Sequence, residues 1–301
     1  MTPDAVRGGA KRAPHSSGEP RSGGRATDAS ARMETAPKAG TEPGMPGGER
    51  ALLMAPGSVS LGKADDSFAV SKGWDAPQPF WARPGMVAAA GETLRPGSFA
   101  LTDRAAGLAG LAPGWRVLDV GSGLGATVRR LRARHGALAV GLERSGRQLR
   151  RMTAGSAPFV CGGMESMPFA AARFDMIFCE CVLSLLERPE AGLAEARRVL
   201  RPGGVLALSD LYLKEGRRGE AGGSCAAGAM SREEVRDLLA GGGFEITHFE
   251  DHSRLLTELA ARLIFAGEGT GAGNGERAGE TGNSCGCAPR GYYLLLARRA
   301  G

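Results

Sequence analysis

The stretch VLDVGSGLGAT, from Val117 to Thr127, joins a short apolar run to a glycine-rich turn and then to a segment with helical spacing. Gly121 and Gly123 let the backbone turn sharply and come close to a ligand, because neither residue carries a Cβ. The helix that follows presents unpaired backbone N–H groups in its first turn. The stretch therefore predicts a strand, a ligand-binding loop and a helix, in that order.

The glycine spacing alone leaves two kinds of ligand open. Gly121, Gly123 and Ala126 also satisfy the G-x-G-x-x-G/A pattern of dinucleotide-binding loops. Asp119 stands two residues before the first glycine, where the strand of a dehydrogenase is usually apolar. An acid at this position suits a cofactor with a cationic amino-acid end, because opposite charges attract. Asp119 therefore favours such a cofactor over a dinucleotide.

Strand and helix patterns alternate along the chain on both sides of this loop. The strand patterns WRVLDV, ALAVGLE, APFVC, FDMIFCE and GVLALSDLY are interleaved with helix patterns such as ATVRRLRARHG and AGLAEARRVL. Such alternation implies parallel pairing of strands through right-handed crossovers. We expect a doubly wound α/β fold, with an open sheet and helices on both of its faces.

The composition divides the chain into a polar start and a globular remainder. With 301 residues and 42% hydrophobic content, the chain can bury at least one full core. Residues 1–65 are rich in Gly, Pro, Ala and Arg and lack a sustained apolar period, so we expect a disordered tail there. A nucleic-acid-binding arm is the alternative. Residues 66–301 are expected to form the folded domain, with a flexible Gly-rich loop at about 267–290.

Charge and apolar content also bear on partners and location. The net charge of +6 permits contact with nucleic acid but does not demand it, because acids are interspersed with the arginines. The chain contains no apolar run of the length of a signal peptide core or a membrane helix. We therefore expect a cytoplasmic protein without a membrane partner, in which the six cysteines are reduced thiols.

From about Leu94 to Arg299 the sequence resembles the class I S-adenosylmethionine-dependent methyltransferases, with a type 11 methyltransferase domain. The glycine loop, GLERS, FVCGGMESMPFAAARFDMIF and RRVLRPGGVLALSDLY carry the resemblance. It implies S-adenosyl-L-methionine as the cofactor. It also implies a mostly parallel, seven-stranded Rossmann-like sheet, whose last strand, GYYLLLARR, is antiparallel.

The resemblance further implies which residues bind the cofactor. In the family the glycine loop lies beside the methionine part of the cofactor, a role that passes here to Asp119, Gly121, Ser122 and Gly123. An acid at the end of the second strand holds the two ribose hydroxyls, and Glu143 in GLERS occupies that place. A solvated strand end is the alternative for Glu143.

The adenine end departs from the family pattern. Gly163 stands where the family usually has an Asp that accepts a hydrogen bond from the adenine amino group. The resemblance then implies that adenine is held by backbone near Gly163 and Met164, by packing of Met164, or by Glu165. Glu180 ends the fourth strand, which borders the cofactor methyl and the acceptor, and completes the predicted cofactor residues.

Two cysteines are the predicted catalytic residues. Cys181 in CVLSL and Cys225 in SCAAGAMSREEVRDLL lie in segments that resemble those of arsenite methyltransferases, where both cysteines bind trivalent arsenic. Thiolates suit such soft acceptors. The alternative is that these cysteines pack as small hydrophobic residues, as we expect for Cys161 and Cys179. Because the cysteine pairs have C-x-C and not C-x-x-C spacing, we predict no metal centre.

These features together predict an enzyme. We expect a methyltransferase that moves a methyl group from S-adenosylmethionine to a small-molecule acceptor, with a soft nucleophile such as thiol-bound trivalent arsenic as one candidate. An RNA methyltransferase is one alternative, because arginines cluster around the first two helices. Against it, no aromatic residues are interleaved with these arginines for base stacking. The other alternative is a domain that binds the cofactor without catalysis. Gly163, which stands in place of the usual acid, favours this alternative.

Overall fold

Helices and strands alternate through the part of the chain that the computed structural model describes: residues 84–151, 158–215, 226, 228–266 and 289–301. The predicted tail, 1–65, lies outside these residues. The predicted Gly-rich loop also lies outside them, except for its last two residues, of which Arg290 already belongs to a strand.

Eight strands form one sheet in the described residues. They are β1 (Arg116–Val120), β2 (Leu138–Glu143), β3 (Phe159–Cys161), β4 (Phe174–Glu180), β5 (Leu200–Leu213), β6 (Met230–Ser231), β7 (Phe244–Asp251) and β8 (Arg290–Arg299). Seven α-helices accompany them. They are α1 (Pro84–Ala90), α2 (Ala100–Ala109), α3 (Ala126–His135), α4 (Gly146–Arg151), α5 (Pro189–Val199), α6 (Arg232–Gly241) and α7 (Ser253–Phe265).

The strand order is β3-β2-β1-β4-β5-β8-β7, and the two-residue strand β6 pairs with β5 outside this path. Strands β1 to β5 pair in parallel, whereas β8 is antiparallel to both of its neighbours, β5 and β7. The predicted fold is confirmed: a doubly wound, mostly parallel sheet with seven strands on its main path and an antiparallel last strand.

The strand order reverses between β1 and β4, which places a ligand crevice there. The chain leaves β1 toward β2 on one side and returns to β4 on the other, so the loops after β1 and β4 diverge. In open α/β sheets, ligands bind at such a point, outside the carboxyl ends of the strands. The predicted glycine loop follows β1, and the segment FCECVLSLL spans the end of β4.

Side chains alternate between two hydrophobic cores, one on each face of the sheet. We call the side covered by α2, α3 and α7 the α2 face, and the side covered by α5 and α6 the α5 face. Val117 of β1 packs on the α2 face and its neighbour Leu118 on the α5 face, and both are fully buried. The same alternation along β4 places Phe178 on the α2 face and Cys179 on the α5 face.

Two helices show how the sequence specifies local structure. Helix α6 begins at a capping box that the sequence predicts: the Ser231 hydroxyl accepts from the Glu234 N–H, and the Glu234 carboxylate accepts from the Ser231 N–H. Helix α7 lies between β7 and β8 in the chain and buries Leu259 and Leu263 against Met86 and its neighbours in α1. None of the described helices is long and apolar enough to span a membrane.

Candidate functional site

The carboxyl ends of β1 and β4 bring Asp119 and Glu180 to the reversal point of the sheet. Asp119 pairs in register with Phe178, so its carboxylate lies on the α2 face by strand alternation. Asp119 is only 3% exposed, and no described residue donates a hydrogen bond to its carboxylate. Burial, with a further contribution from Glu180, raises the pKa of Asp119 well above its usual value. A cationic group is the partner that this buried acid needs.

The glycine loop approaches the neighbouring segment so closely that one of its glycines cannot be replaced. Gly121 has φ +70°, and a Cβ there would clash with the Val182 side chain. Gly123 has φ +54°, and a Cβ there would meet nothing within 4 Å, so its side of the loop is open. The loop beside Asp119 is therefore closed on the side of Gly121 and open on the side of Gly123.

Ser122, a predicted cofactor residue, has a different surrounding from its glycine neighbours. Its hydroxyl is buried without a hydrogen-bond partner and packs against Gly141 of β2. Its N–H donates to the carbonyl of Leu142. These contacts attach the loop to β2, and they leave neither the hydroxyl nor the N–H of Ser122 directed to a ligand.

Glu143 ends β2 beside the glycine loop. One carboxylate oxygen accepts from the Gly123 N–H at 2.8 Å and the other from the Ser145 N–H at 2.7 Å. Burial raises the pKa of Glu143, although these backbone hydrogen bonds oppose the shift. The Arg144 N–H is a third backbone donor to this carboxylate, which leaves room for one further donor. Glu143 can therefore accept one more hydroxyl group, such as one of a ribose, without giving up a backbone hydrogen bond.

Gly163 and Met164, both predicted to lie beside the adenine, differ in their surroundings: space is open at Gly163, whereas Met164 is buried. Gly163 forms a single antiparallel bridge with Ser166, and a Cβ there would meet nothing within 4 Å. Met164 is 3% exposed and belongs to the core of the α5 face, where its sulfur lies 3.7 Å from that of Cys179. Its side chain therefore packs in the core, which leaves backbone near Gly163 as the surface for a nucleobase.

Glu180 is held in a buried network that the sequence does not reveal. Its carboxylate lies 2.8 Å from the Arg95 guanidinium, and both side chains are at most 7% exposed. The hydroxyls of Thr102 and Thr127 donate to the two carboxylate oxygens. Burial raises the pKa of Glu180, although Arg95 opposes the shift. Predicted as a cofactor residue, Glu180 thus acts in this structure as the partner of Arg95.

Arg95 is the residue that sequence analysis missed. Burial alone lowers the pKa of Arg95, but Glu180 and other neighbours, including Asp119, offset this, so that the pKa is raised. The guanidinium also donates to Thr102 and Thr127. Its segment, LRPG, has only a turn pattern, and nothing in the spacing distinguishes Arg95 from the many exposed arginines. Arg95 also interacts electrostatically with Asp119, so it adds positive charge near that acid while remaining paired with Glu180.

Cys181 lies half-buried immediately after β4. Its backbone has φ +57°, and its side chain packs against the core of the α2 face. Its sulfur is 3.1 Å from the Tyr292 hydroxyl. The other predicted catalytic residue, Cys225, lies outside the described residues. Gly228, however, packs against the carbonyl of Ser184 so closely that a Cβ would clash, which brings this part of the chain to the segment after β4.

Asp210 of β5 fixes that segment. Its carboxylate accepts from the Ser184 N–H at 2.9 Å and from the Ser184 hydroxyl at 2.7 Å. Burial raises the pKa of Asp210 to about 6, although its hydrogen bonds oppose the shift. The loop that carries Cys181 is therefore anchored to the neighbouring strand.

The structure brings most predicted site residues to one edge of the sheet. Asp119, Gly121, Gly123, Glu143, Glu180 and Cys181 follow or end β1, β2 and β4, and Gly163 follows β3. No group of three or more His, Cys, Asp or Glu side chains that could hold a metal ion occurs in the described part of the chain. The arrangement offers the buried acid Asp119 for a cationic group, the Glu143 carboxylate for a hydroxyl group, and the Cys181 thiol on the α2 face.

Comparison with known proteins agrees with this arrangement. Residues 118–208 match the family described as Methyltransferase domain. The malonyl-[acyl-carrier protein] O-methyltransferase of Laribacter hongkongensis is 35% identical over 43% of this chain and 50% of its own length. The demethylmenaquinone methyltransferase of Corynebacterium urealyticum is 37% identical over 33% of this chain and 43% of its own. The chain thus spans about half the length of these curated relatives.

A third relative matches over a longer range. The 27-O-demethylrifamycin SV methyltransferase of Amycolatopsis mediterranei is 29% identical over 54% of this chain and 65% of its own length. Among solved structures, the [4+2]-cyclase SpnF is 22% identical with a TM-score of 0.53, covering 78% of this chain and 91% of its own. The phosphoethanolamine N-methyltransferase 2 of Haemonchus contortus, with S-adenosyl-L-methionine, is 16% identical with a TM-score of 0.53, covering 72% and 56%. These two structures share the fold.

Proposed function

We propose that the chain is a class I S-adenosylmethionine-dependent methyltransferase that methylates a small-molecule acceptor; the match of residues 118–208 to the family described as Methyltransferase domain supports this proposal. When bound, the cofactor supplies an electrophilic methyl group on its sulfonium. What the chain must supply is binding at both ends of the cofactor and an acceptor held near the methyl.

The observation that carries the proposal is the Asp119 carboxylate, buried without a donor at the end of β1 beside the glycine loop. A cationic ammonium, such as that of the methionine part, would neutralise it. Arg95 adds positive charge within electrostatic range of Asp119, although Glu180, Thr102 and Thr127 already hold its guanidinium. Glu143 can accept from a ribose hydroxyl, and the open backbone at Gly163 is left for the adenine.

For the acceptor, we propose a soft nucleophile, with thiol-bound trivalent arsenic as one candidate. The support is the half-buried Cys181 thiol, which lies on the same face of the sheet as Asp119 and Glu180. Cys225 is the proposed second thiol, because its segment, like that of Cys181, resembles the arsenic-binding segments of arsenite methyltransferases. A reducing compartment such as the cytoplasm would keep both thiols available. No general base is required, because the sulfonium already activates the methyl.

The test combines cofactor binding with turnover. Isothermal titration with S-adenosylmethionine measures affinity, and release of S-adenosylhomocysteine is followed with arsenite plus a thiol, and with panels of thiols, phenols and amines. We expect binding and turnover with the thiophilic acceptor. Turnover restricted to phenols or amines would refute the soft acceptor but keep the methyltransferase. Binding without turnover on any acceptor would indicate a cofactor-binding domain, and a lack of binding would overturn the proposal.

A further inference from the structure

Cys179 and Cys181 face opposite sides of the sheet although only one residue separates them. In a regular strand, residues two apart point to the same face. Cys179 is fully buried in the core of the α5 face, whereas Cys181 packs against the core of the α2 face. The reversal occurs because Cys181 has φ +57°, in the left-handed region that residues with a Cβ rarely adopt. The protein thus maintains an unfavourable backbone to turn this thiol to the α2 face.

A closed ring of contacts holds Cys181 in that conformation. Its N–H donates to the Ser209 carbonyl at 2.7 Å, and its sulfur lies 3.1 Å from the Tyr292 hydroxyl. That hydroxyl in turn donates to the Ser209 side-chain oxygen at 3.3 Å. The three residues come from the neighbouring strands β5 and β8 and the end of β4, so the ring is as rigid as the sheet itself.

The Tyr292 hydroxyl has no other hydrogen-bond partner among the described residues. Tyr292 is fully buried, and a phenylalanine would fill the same space in the core. Burial, with a further contribution from Cys181, raises the pKa of Tyr292 well above its usual value, so the hydroxyl keeps its proton at neutral pH. Its one proton, which it donates to Ser209 beside the neutral thiol, can therefore turn to the sulfur when the thiol becomes a thiolate.

We propose that Tyr292 is the positioning residue of Cys181, whose hydroxyl holds the sulfur on the Asp119 and Glu180 side of the sheet and stabilises its thiolate. This inference rests on the proposed function, because binding a soft acceptor requires that Cys181 is ionised and that its sulfur points to the site. Arg95 and Tyr293 also interact electrostatically with the thiol, and Glu180 precedes it in the chain. These groups are unchanged when only the Tyr292 hydroxyl is removed.

The test is the alkylation of Cys181 by iodoacetamide, quantified for each cysteine by mass spectrometry from about pH 6 to about pH 10. The full chain is compared with Tyr292→Phe. Because the thiolate loses a hydrogen bond, we expect the pH of half-maximal alkylation of Cys181 to rise by about one unit or more. Cys161, half-buried at the end of β3, is the internal control in the same sample and should keep its profile. Tyr293→Phe is the matched variant, because Tyr293 packs on the α5 face.

Ser209→Ala provides a test in the opposite direction and keeps Tyr292 intact. Without the Ser209 hydroxyl, no other acceptor competes with the Cys181 sulfur for the Tyr292 proton. The alkylation profile of Cys181 should therefore shift to lower pH. An unchanged Cys181 profile in Tyr292→Phe, or an equal shift in Tyr293→Phe, would overturn the inference. If Tyr292→Phe does not fold, the absence of a downward shift in Ser209→Ala would overturn it as well. Alkylation needs neither cofactor nor acceptor, so failure of methyl transfer and failure of this inference are distinguished.

Discussion

Arg95 and Glu180 form a buried ion pair, with 2.8 Å between guanidinium and carboxylate, that connects the segment before α2 to the end of β4. Both side chains are at most 7% exposed, so each charge depends on the other and on the two threonine hydroxyls for its stabilisation. The pair therefore fixes the N-terminal border of the proposed site to the strand that presents Cys181.

The first prediction concerns this pair. Arg95→Met leaves the Glu180 carboxylate buried and unpaired, and should lower the free energy of unfolding by about 3 to 5 kcal/mol. The double variant Arg95→Met, Glu180→Leu should be more stable than Arg95→Met, because neither charge remains. Urea unfolding measures both. Arg104→Met is the control, because the Arg104–Glu250 pair is exposed and should contribute far less to stability than the buried pair. Equal losses in the two single variants would contradict a special role for the buried pair.

The second prediction separates stability from cofactor binding at Asp119. Because the pKa of Asp119 is raised in the folded protein, its stabilising contribution is present at low pH and is lost as pH rises through that folded pKa. At a pH above that folded pKa, the buried carboxylate destabilises the cofactor-free protein. Asp119→Asn should therefore raise its melting temperature while weakening S-adenosylmethionine binding by about tenfold to a hundredfold.

Calorimetry of the cofactor-free protein and isothermal titration check the two halves of this prediction. Glu143→Gln is the companion variant, in which cofactor binding should also weaken by about tenfold. Unchanged affinity in both variants would remove the basis for the cofactor site.

The third prediction uses the open space at Gly163. A Cβ there meets nothing within 4 Å, and the backbone does not lie in the left-handed region. Gly163→Asp should therefore fold normally and strengthen cofactor binding by about tenfold, because a carboxylate could accept from the adenine amino group. Gly163→Ala, the control, should leave the affinity nearly unchanged. Weaker binding in Gly163→Asp would show that adenine does not lie beside this residue.

The fourth prediction follows from the backbone of Cys181. Glycine accepts φ +57° without strain, so Cys181→Gly should be more stable than Cys181→Ala by about 1 kcal/mol.

Cys181→Ser and Cys225→Ser should each abolish methylation of a thiophilic acceptor and leave cofactor binding intact. Cys179→Ser, in the opposite core, should instead lower stability. Robust turnover of the Cys181→Ser, Cys225→Ser double variant with arsenite would reduce both cysteines to packing residues.

The fifth prediction concerns the proposed division of the chain at residue 65. Residues 1–65 have no sustained apolar period and so offer little surface to bury. A chain that begins at residue 66 should retain the melting temperature and the cofactor affinity of the full chain. A large fall in either quantity would show that this segment contributes to the folded domain.

Local sequence patterns predicted the seven strands of the main sheet path and the positions of two acids near strand ends. Glu143 ends β2 and Asp119 is the last but one residue of β1, so the strand patterns place both near the carboxyl edge. The pairing of Arg95 with Glu180 could not be predicted in this way, because it joins distant parts of the chain through tertiary packing. The direction of Met164 and Cys181 was equally hidden, since it depends on a bridge at Gly163 and on one left-handed backbone angle.

The position of β8 has a consequence for the order in which the protein can fold during synthesis. β8 lies between β5 and β7 and is almost wholly buried from Tyr292 to Ala297, yet it follows every one of its partners in the chain. Until the ribosome has released this strand, β5 and β7 expose edges that only β8 can cover, and the Tyr292 contact with Cys181 cannot form. Contacts of such long sequence separation slow folding and leave unpaired strands open to aggregation. Premature termination before β8 should therefore yield an insoluble chain, although the glycine loop and every other predicted cofactor residue would already have been made.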